Sequence, residues 1–229
     1  MPQPDLVIFD CDGVLVDSEI IAARVDSGLL TAAGFAIEPE EFAERYAGLT
    51  FKDILLRLEG ESQIPFQARL IDESERLLDQ RLRAEVRALD GAHEAVAAVT
   101  SKRCICSNSK MHRLDFMLDK VHLKPFFEGH IYSARDNPGI RHKPAPDIYL
   151  QAAEKEGARP EATFVIEDSV HGVTGAVAAG MRVIGFTGAS HSYPGHADQL
   201  TEAGAETVIR RWADFPSVLA ALSEWSENA

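Results

Sequence analysis

Two aspartates, Asp10 and Asp12, stand in the segment Phe9-Asp10-Cys11-Asp12-Gly13-Val14-Leu15-Val16-Asp17-Ser18, directly after the apolar run Leu6 to Phe9. On an extended chain, residues i and i+2 project to the same side, so both carboxylates share one face. At the carboxyl end of a central parallel strand, that face opens into the crevice where α/β sheets bind ligands. Gly13 allows a sharp turn there, because it has no Cβ to forbid positive φ. Two like charges this close raise one pKa unless a cation or a shared proton compensates, so the pair asks for a metal. Taken alone, it could equally be two surface aspartates at a strand end.

A second acidic pair, Glu167-Asp168, closes the run Phe164-Val165-Ile166 and precedes Ser169 and a helix opening near Val170. Parallel neighbours bring their carboxyl ends together, which would set Asp168 beside Asp10 and Asp12 around one hard cation. A small set of oxygen ligands suits Mg²⁺, which keeps several waters and completes its shell from a substrate phosphate. Asp168 by itself is also an ordinary helix N-cap. The turn Cys106-Ser107-Asn108-Ser109-Lys110 lies just before another helix, and hydroxyls with free N–H groups at a helix N-terminus form an anion site. Its simpler reading is again a cap. Lys143 lies in His142-Lys143-Pro144-Ala145-Pro146, held out of regular helix by the prolines; alone it reads as a solvated lysine. His142 and His171 flank these motifs, whereas His191 and His196 belong to a Gly-, Ser- and His-rich stretch, 185–195, read as a surface loop. Both are expected to face water.

The elements that must carry these residues are short apolar runs at 6–9, 104–106, 131–132, 163–166, 182–186 and 207–209, all read as strands. After the first, they are separated by segments of helical periodicity at 111–121, 146–156 and 170–179, the last stopped by Gly180. Such alternation predicts an α/β fold with a mostly parallel sheet covered by helices. The chain between the first two strands is too long for one crossover, and 18 to about 86 reads as purely helical, with apolar positions at Leu55, Leu58, Leu70, Leu77, Leu78 and Leu82. A helical cap domain at 18–88, inserted into a core of 1–17 and 89–229, is the economical organisation.

With 229 residues, 45% of them apolar, the chain can fill a proper core. Its formal net charge of −13 repels polyanions, so nucleic acid and anionic membranes are not expected partners. No basic flank or long apolar stretch precedes Asp10, and no window approaches the ~20 apolar residues of a membrane span; the expectation is a cytoplasmic protein, monomeric or a weak homodimer. The three cysteines, Cys11, Cys104 and Cys106, do not form a disulfide framework. Cys104 and Cys106 alternate in an apolar run and should share one buried strand face.

The ordered set of acid pair, hydroxyl turn, lysine and acid pair resembles the haloacid dehalogenase superfamily, in particular its branch of β-phosphoglucomutase-like proteins and sugar phosphate phosphatases. The resemblance spans essentially the whole chain and rests on Asp10-Cys11-Asp12-Gly13 and on Glu167-Asp168-Ser169-Val170-His171-Gly172 through Ala179-Gly180-Met181. It implies a Rossmann-like three-layer core with an inserted helical cap. It also implies that Asp10 is the nucleophile forming an aspartyl phosphate and that Asp12 is general acid and base. Mg²⁺ would be held by Asp10, the Asp12 carbonyl and Asp168, with Glu167 orienting bound water. Ser107 and the Asn108 backbone would hold phosphate oxygens, and Lys143 would set a positive charge on the transferring group and on Asp10. The implied substrate is a small phosphorylated metabolite, chosen by a cap entered at Asp17-Ser18-Glu19 and reaching the site with the loop 47–52.

Mutases of this branch carry a histidine and an arginine in the cap where this chain has Ala22 and Phe51. Hydrolysis is therefore expected over isomerisation. The turn Ser107-Asn108-Ser109, with Phe9 to Gly13, is similar to bacterial 6-phosphogluconate phosphatases, which ranks that compound first. A mutase and a noncatalytic binding module are the alternatives; a dead relative should have lost Asp10, Asp12, Lys143 or Asp168, and all four are present. Dehalogenation does not need the second acid at Asp12, and an aspartate-phosphorylated receiver has about half this length and no insert.

Overall fold

The six apolar runs form six strands: β1 (Leu6–Phe9), β2 (Lys102–Ser107), β3 (Ile131–Ser133), β4 (Thr163–Glu167), β5 (Arg182–Phe186) and β6 (Thr207–Ile209). This computed structural model describes residues 3–47, 49–61, 65 and 67–225. All six strands run parallel, in the order β3-β2-β1-β4-β5-β6. The chain first builds outward from β1 on one side and then crosses to build on the other, so the order reverses at β1, the place where such sheets bind ligands. Phe9 pairs with Ile105 of β2 and Ile166 of β4. One residue further on, Asp10, Cys106 and Glu167 stand level at the carboxyl edge.

Among the described residues the sheet is accompanied by ten α-helices: α1 (Glu19–Ala32), α2 (Pro39–Arg45), α3 (Phe51–Gly60), α4 (Ala68–Glu85), α5 (Ala92–Ala98), α6 (Met111–Lys120), α7 (Asp147–Glu156), α8 (Val170–Ala178), α9 (His196–Glu202) and α10 (Phe215–Trp225). Strands buried on both faces read as unbroken apolar runs, as Leu6-Val7-Ile8-Phe9 does. One layer collects Val7, Phe9, Ile105 and Ile166 with Leu114, Met117 and Phe215 of α6 and α10. The other collects Leu6, Ile8, Cys104, Cys106 and Val165 with Ile148, Val173 and Leu200 of α7, α8 and α9. All three cysteines are free and buried, and Cys104 and Cys106 share one face, as their alternation requires. Phe9 anchors the first layer, with Phe127, Trp212 and Phe215 rings at 5.7, 5.9 and 5.9 Å. Such pairs contribute ~0.5–1.5 kcal/mol each beyond burial. Trp212 also donates from Nε1 to the Val14 carbonyl at 3.1 Å, pinning the turn that follows Asp10.

Helices α1 to α4 have an apolar core of their own, built on Leu30, Phe42, Ile54, Leu55, Leu58 and Leu70. The two connections to this helical insert lie side by side: Asp17 N–H donates to the Arg87 carbonyl, and Leu89 N–H to the Leu15 carbonyl, both at 3.0 Å. Helix α4 serves both cores. Its Leu70 and Leu77 face the insert's cluster, whereas Leu78 and Leu82 pack onto the sheet layer. Its polar side lies over α6, where Glu75 pairs with Lys110 and Arg135, and Asp79 with Arg113. In the segment 47–52, Gly48 lies outside the described residues. Thr50 caps α3 by accepting from Asp53 N–H at 3.2 Å, Phe51 packs on the insert's apolar core, and Lys52 is exposed. Phe51 thus turns inward, away from the expected reach toward the sheet. No helix among the described residues is long and apolar enough to cross a membrane.

Candidate active site

At the carboxyl edge of β1 and β4, oxygens of Asp10, Glu167 and Asp168 lie within 4.8 Å of one another, and all three side chains are buried. Lys143 reaches them from the loop before α7. Its ammonium donates to Asp10 Oδ1 at 2.6 Å, to the Cys106 carbonyl at 2.8 Å and to Glu167 Oε1 at 2.5 Å. An ammonium has three donors, so all are engaged within the protein. Burial would lower the Lys143 pKa, but the Asp10 and Glu167 carboxylates outweigh it and hold the amine well above its ordinary value. Burial pushes Asp10 well above the carboxylate range, and Glu167, Asp168 and Asp12 add to it against the pull of Lys143. Burial likewise raises Asp168.

Three clustered carboxylates around one lysine leave an excess of negative charge, and their donor atoms are all hard oxygens. That set fits a small divalent cation, for which Asp10 and Asp168 are the ligands best left free. Glu167 is committed elsewhere. Its Oε1 accepts from Lys143 and from Tyr149 Oη at 2.9 Å, and its Oε2 from Ser169 N–H and Oγ at 3.2 and 3.1 Å. Those bonds fill its four lone-pair sites and hold Lys143 and the start of α8. A Cβ on Gly172 would lie 2.0 Å from the Glu167 carboxyl carbon, which accounts for glycine in the first turn of α8.

Asp12 faces a ring of hydroxyls. Ser18 Oγ donates to its Oδ1 at 2.7 Å, while Ser109 and Ser107 Oγ donate to its Oδ2 at 2.7 and 3.3 Å. Ser107, expected at a phosphate, lies beside Asp12, and Ser18 and Ser109 join it without having been singled out. Ser109 stood inside the quoted turn; Ser18 stood at the end of the quoted acidic segment. The Asn108 side chain is engaged with the backbone of the lysine: its Oδ1 accepts from Lys143 N–H at 3.1 Å and its Nδ2 donates to the Lys143 carbonyl at 3.5 Å. The group expected at a phosphate was the Asn108 backbone, which these bonds do not involve. Tyr149, which no sequence pattern marked, completes the Glu167 shell.

The expectation that His191 and His196 face water is wrong. His196 is 5% exposed and donates from Nε2 to the Asp168 carbonyl at 2.7 Å. The His191 side chain is 12% exposed, with Nε2 3.1 Å from Asp168 Oδ2. Burial opposes protonation of His191, but its hydrogen bond to Asp168 and the charges of Asp168, Glu19 and Asp17 push its pKa up to about 9. Burial lowers that of His196. The segment after β5 is polar in composition yet folds back across the carboxyl edge of β4 and fills the space beside Gly13. A Cβ on Gly13 would sit 1.9 Å from Asp168 Oδ2 and 2.8 Å from His191 Cε1, at a φ of +72°. Glycine is therefore required there twice over, for conformation and for space.

A crevice of this composition at a sheet switch point has known counterparts. The haloacid dehalogenase-like hydrolase family model matches residues 4–180. The 6-phosphogluconate phosphatase of Escherichia coli (strain K12) is 30% identical over 199 residues, 85% of this chain and 87% of that protein. The solved structure of a conserved haloacid dehalogenase-like protein of unknown function from Agrobacterium tumefaciens str. C58 is 61% identical, with a TM-score of 0.91 over 96% of this chain and 99% of that one. That of a haloacid dehalogenase family hydrolase from Deinococcus radiodurans R1, with bound phosphate and sodium, is 33% identical, with a TM-score of 0.81 over 96% and 97%. The chain belongs to the haloacid dehalogenase-like hydrolases.

Proposed function

We propose that the protein is a Mg²⁺-dependent phosphatase of small phosphorylated sugars or sugar acids, with 6-phosphogluconate first among them, acting through a phosphorylated Asp10. The observation that carries this reading is a carboxylate at a strand end, bonded at 2.6 Å to a buried lysine and set within a cluster of further carboxylates. A bound Mg²⁺, with Asp10, Asp168 and the Asp12 carbonyl as its proposed protein ligands, would neutralise the repulsion between Asp10 and a phosphate dianion. Asp10 then forms a bond to phosphorus as the alcohol leaves, dividing one hard displacement into two easier ones. Asp12 donates a proton to the departing oxygen and later takes one from the water that hydrolyses the acyl phosphate. Ser18 and Ser109 hold its two oxygens in place for that task. Lys143 keeps a positive charge against Asp10 throughout, and Ser107 Oγ with the Asn108 N–H receives phosphate oxygens.

Division of the chain into a core of 1–17 and 89–229 and a cap of 18–88 places substrate choice in the cap. The paired linkers at 15–17 and 87–89 are the natural hinge for its opening. Hydrolysis is favoured over phosphosugar isomerisation because Phe51 packs into the cap's apolar core and Ala22 has no polar group, so neither retains a bisphosphate for a second transfer. Phosphate release should be measured over phosphorylated sugars, sugar acids and glycolate, with and without Mg²⁺, beside Asp10→Asn. Release requiring both Mg²⁺ and Asp10 is expected. Isomer conversion without release would point to a mutase, and inactivity of the folded, metal-loaded protein to a binding module.

A further inference from the structure

The segment between β5 and α9 touches two working parts at once. Ser190 donates from N–H and Oγ to the two carboxylate oxygens of Asp17, at 3.1 and 2.5 Å. Asp17 is the residue where the chain leaves the sheet for the inserted helices. His196, opening α9, anchors the other end of the segment on the Asp168 carbonyl. Between these anchors His191 aims Nε2 at Asp168 Oδ2, and its ring meets that of His196 edge-on at 5.8 Å. Among the described residues, its Nδ1 is buried without a hydrogen-bond partner. Burying an imidazole with one nitrogen unsatisfied is unfavourable, and the polar contact that orients the ring is the 3.1 Å approach of Nε2 to Asp168. Nothing in the phosphoryl chemistry above uses His191.

We infer that His191 is a positioning residue for the cation site: with Nε2 protonated it occupies Asp168 Oδ2, fixes the carboxylate plane and leaves Oδ1 for the metal. This rests on the metal-dependent reading of the site. The Ser190–Asp17 bonds hold the backbone of His191 in register, so the geometry of Asp168 is tied to the segment that enters the cap. Groups that orient a ligating side chain typically contribute ~10–100-fold to metal affinity.

The test is calorimetric titration of Mg²⁺ and Mn²⁺ into the full-length, metal-stripped protein, alongside thermal melts to verify folding. His191→Leu, which fills the space without a donor, should lose ~10–100-fold in affinity. His191→Gln, whose amide N–H replaces Nε2–H, should restore most of that loss. Ser190→Ala should weaken binding in the same direction, and the kcat of His191→Leu should recover when the metal is raised to saturation. Wild-type affinity in His191→Leu, tighter binding in it, or equal losses in His191→Leu and His191→Gln would each overturn the assignment while leaving the metal site standing. A folded wild-type protein that takes up neither cation would overturn both.

Discussion

Replacing Lys143 with methionine keeps most of the side chain's length and removes a single charge from a place where two carboxylates depend on it. The ammonium lies 2.6 Å from Asp10 Oδ1 and 2.5 Å from Glu167 Oε1. No partner side chain is more than 9% exposed, so the small values typical of surface ion pairs do not apply. Removing one member of a buried pair leaves an uncompensated charge, at a cost of ~3–5 kcal/mol. In a chain of this size each kcal/mol moves the melting temperature by ~2–4 °C, so a fall of roughly 6–20 °C is expected in EDTA. The fall should be smaller in Mg²⁺, which restores positive charge beside Asp10. Without its lysine, Asp10 can shed charge only by protonation, so the deficit should widen as pH rises through its already raised pKa. Adding Glu167→Gln removes the second stranded anion while keeping an oxygen for Ser169; the amide N–H then faces Tyr149 Oη, which can donate to the Gly172 carbonyl instead, so most of the lost stability should return. Activity should not: loss of the charge on the transferring group costs ~3 kcal/mol, about a hundredfold in rate, in both the single and the double variant. Scanning calorimetry and phosphate release on the four members of the cycle measure both effects. A Lys143→Met protein that melts like the wild type, or a double variant less stable than the single, would refute this account of the site.

Three other perturbations test separate parts of the structure. Gly13→Ala places a Cβ 1.9 Å from Asp168 Oδ2 at a φ of +72°, so it should abolish measurable Mg²⁺ binding and lose ~1–2 kcal/mol to backbone strain alone; wild-type affinity would contradict the close approach. Asp26, buried between α1 and α4 with Ser74 as its partner, has its pKa raised from 3.8 to about 7 by burial, so the folded state holds a proton that the unfolded state releases between those values. Stability should fall as pH rises from about 4 to 7, by at most ~4 kcal/mol, and Asp26→Asn should raise the melting temperature at pH 8 but not at pH 3; equal effects at both would exclude the ionisation. Asn108→Ala removes two bonds to the Lys143 backbone, ~1–3 kcal/mol together, and should lower kcat with little change in KM; a rise in KM at constant kcat would instead mark the side chain as a phosphate ligand.

The strands were legible because β1 and its neighbours are buried on both faces, which leaves short unbroken apolar runs between polar turns. Burial on both sides also made Cys104 and Cys106 readable as core residues. The inserted helices were legible from length and periodicity, but not the double duty of α4, since Leu77 and Leu78 are adjacent in sequence and serve different cores. At the site, residues carried by strand ends were readable from their position, the loop residue Lys143 was reached through the family resemblance, and the loop histidines His191 and His196 were not found. His191 and His196 lie in a polar stretch whose composition describes solvent, and only the path of the chain across β4 brings them to Asp168.

Glu167 is the instructive middle case. The family resemblance set it beside the metal with Asp168, and its parity on the extended chain decides which side its carboxylate takes. Glu167 shares its parity with Val165, on the side of Tyr149 and Gly172, and the register that pairs Phe9 with Ile105 and Ile166 sets it level with Asp10 and Cys106. Those are the three residues on which Lys143 closes its hydrogen bonds. Strand parity combined with register thus sets Glu167, and not its chain neighbour Asp168, on the lysine.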